Sequence, residues 1–306
     1  GFIVTWSEWN GVYAPGVSIY AQRFALDGTK QGPAVRINEI DGASQWYSEA
    51  ATLEDGAAVI SWRTRDGDDQ GVAARIVETD GTFRTPEFPM NTTTTDYQFE
   101  QRLAPLPDGG FVATWASDAV DGDGPGIVVQ RFDATGAKTG GETLVNAVTE
   151  RSQRDPQIAV LADGRMAVTW TSYADHGLPT PQVRARLLDD TAAPVGGEIR
   201  VLDPALDDTS SSQAIAPLAD GGFLVTYTTA TNSFDSRDVV GQRFAPDGTP
   251  RGGHFIADES TDEFQTEPEA VVLDGGAVLI GWSDFAGRDL PARLFAPALG
   301  AEGPFS

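Results

Sequence analysis

The sequence predicts an all-β protein: a single β-propeller of about six four-stranded blades, the first lacking its innermost strand. Three observations predict it. The chain is a tandem repeat of six units, each unit carries hairpin turn signals, and no window shows capped helical periodicity.

The repeat is most visible in one apolar segment ending in an aromatic. It reads Gly-Phe-Ile-Val-Thr-Trp to Trp6, Ala-Ala-Val-Ile-Ser-Trp to Trp62 and Gly-Phe-Val-Ala-Thr-Trp to Trp115, and it returns at Trp170, Tyr227 and Trp282. An arginine follows each aromatic, at Arg23, Arg75, Arg131, Arg186, Arg243 and Arg293. From the second copy on, Gln45, Gln98, Gln153, Ser210 and Gln265 stand 17 residues before the aromatic.

Within a unit the elements follow in a fixed order. A short apolar strand such as Ile158–Leu161 leads to an Asp-Gly turn at Asp163-Gly164, a strong hairpin signal because glycine accepts positive φ. The aromatic-ending strand comes next, then a polar loop of variable length, then the arginine strand. That strand ends in a second turn (Asp27-Gly28, Asp80-Gly81, Asp247-Gly248), and a fourth strand runs to Asn38, Asn91, Asn146 or Asp258. Both faces of the central strands are apolar, as in Phe111–Trp115, so both must be covered; blades stacked around an axis achieve this. A β-solenoid ranks second because its coils are usually shorter.

The expected domain is 1–306, with repeats at about 1–47, 48–100, 101–155, 156–212, 213–267 and 268–306. The first unit opens on its aromatic strand. Residues 301–306 are a candidate fourth strand of the last unit; either the chain is cut from a longer polypeptide, or another segment or molecule completes the first blade by strand exchange at its open edge.

Composition narrows the partners. A net charge of −24 opposes binding to nucleic acid and anionic membranes. No apolar run is long enough for a membrane helix, so no membrane insertion is expected. Without cysteine there is no disulfide framework, thiol catalysis or cysteine-bound zinc. Residues 1–6 have neither a basic start nor a cleavage site, so the signal of an exported protein is expected outside this chain.

The run Asp108–Trp115, then Gly126–Asp133, then Gly140–Asn146 resembles a repeat of large secreted bacterial proteins of the RTX (hemolysin-type) and adhesin-like kinds. The resemblance spans the chain and implies an extracellular or cell-surface module of a larger assembly, with other protein subunits or domains as partners. The glycine-rich calcium nonapeptide of such proteins is absent, so its calcium roll is not carried over.

Candidate sites are weighed against packing. The recurrent aromatics, arginines and glutamines are expected to be structural, since packing recurs in every copy whereas a ligand site generally occurs once. Asp66, Asp68 and Asp69, and Asp118, Asp121 and Asp123, alternate with glycines in two loops and form candidate calcium ligands, although the position of an EF-hand glutamate is taken by Val77. Trp9, Trp46 and Tyr47 depart from the repeat and are candidate glycan platforms. His176 and His254 fall in different parts of the unit, and no Gly-x-Ser-x-Gly, P-loop or His-Glu-x-x-His motif occurs. Glu100, Asp155 and Glu267 share one position near the start of the innermost strands; two of them would make the acid and base of a glycosidase, and a polar channel lining is the alternative. From these features the expected function is a non-enzymatic surface module for protein interaction or assembly. A lectin-like propeller and a glycosidase or polysaccharide lyase are the alternatives.

Overall fold

The computed structural model describes residues 1–9, 16–40, 45–67, 69–118, 120–173, 181–201, 210–229, 237–258, 265–284 and 290–296. It is all-β. Six antiparallel sheets follow one another along the chain, each made of strands adjacent in sequence, which is the blade pattern of a β-propeller.

Blade 1 holds β1 (Phe2–Trp9), β2 (Val17–Phe24) and β3 (Lys30–Arg36). Blade 2 holds β4 (Trp46–Thr52), β5 (Ala58–Thr64), β6 (Gly71–Val77) and the short β7 (Phe88–Pro89). Blade 3 runs through β8 (Gln98–Pro105), β9 (Phe111–Ser117), β10 (Gly126–Phe132) and β11 (Lys138–Leu144). Blade 4 comprises β12 (Gln153–Val160), β13 (Met166–Ser172), β14 (Gln182–Leu188) and β15 (Pro194–Arg200). Blade 5 comprises β16 (Ser210–Pro217), β17 (Phe223–Thr229), β18 (Asp238–Phe244) and β19 (Pro250–Ile256). Blade 6 has β20 (Gln265–Val272), β21 (Val278–Asp284) and β22 (Ala292–Phe295). Among the described residues blade 1 has no innermost strand, as its sequence predicts; residues 301–306 lie outside the described residues. The chain divides into two compact units, Gly1–Asp121 with Ile127–Leu144, and Gly122–Gly126 with Val145–Ser306.

The second strand of each blade carries the core. Trp62, Trp115, Trp170 and Tyr227 are fully buried. In the first unit Trp115, Phe111 and Phe132 share one cluster with Leu53, Val59, Val72 and Ile76 of blade 2. In the second unit Tyr227, Phe223 and Phe244 share another with Leu161, Ala167 and Leu187 of blade 4. The recurrent aromatic is thus packing between blades, not a ring of platforms. The turns are locked locally: Asp80 and Asp247 accept from the hydroxyl and then the backbone N–H of the threonine two residues on, and Asp27 from the backbone N–H of Thr29, which holds their carboxyls below the usual range.

The arginines alternate in role. In blades 3 and 5, Arg131 and Arg243 pair with the turn carboxylates of Asp108 and Asp220 in their own blade. In blades 2, 4 and 6 the arginine instead reaches a carbonyl of the preceding blade: Arg75 to Ile37 at 2.9 Å, Arg186 to Val145 at 2.7 Å and Arg293 to Ala257 at 3.3 Å. Arg75 also donates to the Thr85 carbonyl at 3.0 Å, pairs with Glu39 at 2.5 Å and lies over the Phe83 ring. Replacing it leaves two carbonyls without their donors. Arg75→Ala should lower unfolding free energy by about 3 kcal/mol in denaturant titration, and Arg75→Lys should recover only part, because one ammonium cannot span both carbonyls.

Candidate functional site

In blades 2 to 6 the innermost strand carries a β-bulge at the same place. The register slips between Trp46 and Glu49, Phe99 and Arg102, Arg154 and Gln157, Ser211 and Ala214, and Thr266 and Glu269. Each slip contains one residue in the left-handed region: Tyr47 (φ +57°), Glu100 (+59°), Asp155 (+54°), Ser212 (+51°) and Glu267 (+52°). A side chain in that region costs about 1–3 kcal/mol, and glycine removes the cost.

The outer strands have bulges as well, and there the left-handed position is glycine: Gly32, Gly140, Gly196 and Gly252, with φ between +67° and +76°. A Cβ built on any of these four meets nothing within 4 Å, so backbone conformation alone selects glycine. The five inner bulges make the same demand and none has glycine or asparagine. Their backbone repeats while their side chains vary as Tyr, Glu, Asp, Ser and Glu. That is the pattern of positions held for the side chain they present, and bulges commonly aim side chains at active sites.

Neighbouring side chains hold these bulges in place. In the first unit the Gln101 amide donates to the carbonyl of Tyr47, and the Ser48 hydroxyl bonds that of Thr5 at 3.0 Å. In the second unit Gln213 of β16, 3% exposed, donates to the carbonyl of Asp155 on β12 and accepts from the Thr171 hydroxyl at 2.8 Å. Ser283 donates to the Glu267 carboxylate at 3.3 Å, and Thr228 to the Ser211 carbonyl at 2.8 Å. Strand β16 packs against both β12 and β20, so Asp155, Ser212 and Glu267 occupy matching bulges on three successive inner strands of that unit.

The residues predicted for binding are placed as follows. Trp9, Trp46 and Tyr47 are exposed by 64%, 42% and 67%, at the end of β1 and the start of β4, and the Arg63 guanidinium lies 4.5 Å from the Tyr47 ring centroid. Asp66 accepts from the Asn91 amide at 2.6 Å. The Tyr97 hydroxyl bonds Asp69, whose charge pushes the phenol up. Asp123 accepts from the Arg151 backbone N–H at 3.1 Å. Asp118 donates its backbone N–H to the Tyr97 carbonyl at 2.9 Å, and Asp121 follows at the end of the first unit. Asp68 and His176 lie outside the described residues. Among the described residues, no three histidine or acidic side chains gather as a metal cluster.

A cavity of about 350 Å³ opens where blade 5 meets blade 6, lined by Asp258, Gln265, Trp282, Asp284 and Arg293. Asp258 is 5% exposed, and burial, assisted by the nearby charge of Asp238, pushes its carboxyl up to about 6. Sequence reasoning missed this group. Its signal was in plain view, because Asp258 stands where earlier copies have Asn38, Asn91 and Asn146.

No protein-family model and no curated protein matches the sequence. Solved structures do share the fold. A protein of unknown function from Dyadobacter fermentans is 12% identical, with a TM-score of 0.58, 84% of this chain covered and 80% of that one. An α-L-arabinanase from Penicillium chrysogenum, complexed with arabinobiose, is 12% identical, with a TM-score of 0.56 and coverages of 85% and 82%. The NanB sialidase from Streptococcus pneumoniae is 8% identical, with a TM-score of 0.60, 90% of this chain covered and 62% of the sialidase.

These comparisons correct the expectation of a non-enzymatic module. That expectation rested on the repeat's landmark residues all being spent on packing, as they are. The arabinanase and the sialidase are glycosidases by name on the same fold, so packing landmarks do not argue against chemistry.

Proposed function

We propose that this protein is a glycoside hydrolase and that Asp155 and Glu267, on the inner bulges of the second unit, are its acid and base. The observation that carries the reading is the use of carboxylates at strained left-handed positions where the same molecule uses glycine when only conformation matters. Hydrolysis of a glycosidic bond needs two carboxyl groups. One protonates the departing oxygen, and the other either activates water or attacks the sugar carbon. Ser212, on the strand between them, is suited to hydrogen-bond a sugar hydroxyl. The arabinanase and sialidase of like fold support a glycan as substrate. The exposed aromatics Trp9, Trp46 and Tyr47 offer platforms for a longer glycan on the first unit.

We further place the activity outside the cell. The cysteine-free, strongly acidic composition and the repeat's resemblance to modules of large secreted bacterial proteins support that setting.

The test is release of reducing sugar or sialic acid from a panel of arabinan, aryl arabinofuranosides, sialosides and other plant and host polysaccharides. Turnover of at least one class, with product growing linearly with enzyme, is expected. Binding on a glycan array without turnover of any bound glycan would return the protein to the lectin reading.

A further inference from the structure

We propose that the cavity between blades 5 and 6 is a calcium site, with Asp258, Gln265 and Asp284 supplying carboxylate and amide oxygens. Blades 5 and 6 depart from the other copies at this junction. In blades 1 to 3 the residue two beyond the outermost strand is asparagine. Asn38 and Asn91 each accept a backbone N–H through Oδ1, and Asn38, Asn91 and Asn146 each donate through Nδ2 to the carbonyl two residues on. Asp258 keeps the first bond, from the Val239 N–H at 2.9 Å, but has an oxygen where the donor should be.

That oxygen, Oδ2, has no hydrogen-bond partner, and neither has Oε1 of Gln265, a residue 2% exposed that lines the same cavity. In blade 2 the equivalent asparagine amide, Asn91, bonds the equivalent glutamine oxygen of Gln98 at 3.1 Å. The change to aspartate thus turns a donor facing an acceptor into two acceptors at one cavity. Two further positions change in the same sense. Asp284 pairs with Gln265 at the place of Ser117 and Ser172, and Asp238 takes the place of Gly71 and Gly126. Asp238 is fully buried and its charge reaches Asp258. Three neutral repeat positions have therefore become aspartates around one junction.

Asp258, a buried carboxylate with one unpartnered oxygen, gains from a nearby positive charge. Arg293 is the cationic side chain among the cavity's described lining; it donates to the Ala257 carbonyl and lies over the Phe295 ring. Calcium is a hard cation that takes six to eight oxygens at flexible geometry and accepts carboxylates, amide oxygens and water together. Two carboxylates and one amide oxygen meet part of that number, and a cavity of about 350 Å³ has room for water to complete it. The cavity shares β20 with the proposed base, Gln265 lying two residues before Glu267, but its test reads no hydrolysis.

The full chain is unfolded by heat in EDTA and in millimolar calcium chloride. The wild-type midpoint should rise with calcium by about 5 °C. Asp258→Asn restores the residue of the other blades, so its midpoint in EDTA should equal or exceed that of wild type while its gain with calcium disappears. Terbium emission excited through tryptophan should be displaced by calcium and lost in both Asp258→Asn and Trp282→Phe. If Asp258→Asn does not fold, Asp284→Asn takes its place with the same expected loss of the calcium gain. A wild-type midpoint indifferent to calcium overturns the proposal. So does a calcium gain that survives in the variant, which would move the ion to another acidic loop such as that of Asp66 and Asp69.

Discussion

Glu267→Gln should abolish glycan hydrolysis, lowering kcat/KM by about a thousandfold or more, and Asp155→Asn should do the same, since removing either member of a coupled acid–base set costs nearly all of its chemistry. The informative companion is Glu267→Gly. Glutamate at φ +52° is strained, and glycine is not. If this residue is retained for its carboxylate, Glu267→Gly should unfold at the same or higher denaturant concentration than wild type, by about 1 kcal/mol, while its activity vanishes. A purely structural residue would behave otherwise: the glycine variant would gain stability and keep its rate. Retained turnover in Glu267→Gly would therefore sink the assignment even if the protein proved to be a hydrolase. Gln213→Ala, which frees the Asp155 carbonyl, belongs to the same experiment as a positioning control; it should lower kcat more than it raises KM.

Trp115→Ala should cost about 3–5 kcal/mol, the largest stability effect of any single substitution considered. Trp115 is 1% exposed and lies in one cluster with Phe111, Phe132 and side chains of blade 2, so truncation opens a cavity bounded by two blades that cannot close independently. At this chain length such a loss lowers the thermal midpoint by roughly 5–8 °C. Trp9→Ala provides the contrast. With Trp9 64% exposed, its loss should change stability by less than about 0.5 kcal/mol while weakening glycan binding if it serves as a platform. Calorimetry of the two variants beside wild type separates the packing aromatics from the surface ones, and equal effects would contradict the division.

The period of the aromatic strand, the Asp-Gly turns and the two-faced apolar strands were enough to predict six successive antiparallel sheets, because each hairpin is a local structure written in consecutive residues. The reading that Trp62, Trp115 and Trp170 are core, and that the arginines bond carbonyls and carboxylates, also followed from repetition alone. Glu100, Asp155 and Glu267 were recognised as equivalent, yet nothing in their identity distinguished a channel lining from chemistry.

The tertiary structure adds that all three sit at left-handed positions inside β-bulges. The sign of φ at Glu267, and its contrast with Gly252, depends on register between paired strands, and register is set by hydrogen bonds across the sheet rather than by the residue itself. Asp258 shows the same division at the other candidate site. Its replacement of asparagine could be read from the repeat, but an aspartate is costly only once it is buried opposite the Gln265 oxygen, and that meeting exists only when blades 5 and 6 are folded together. The chain's sequence by itself determined which elements form and which residues pack. The charged groups facing one another at the blade junction, and the side chains the inner bulges present, were decided by folding, because both require residues distant in sequence to share one place.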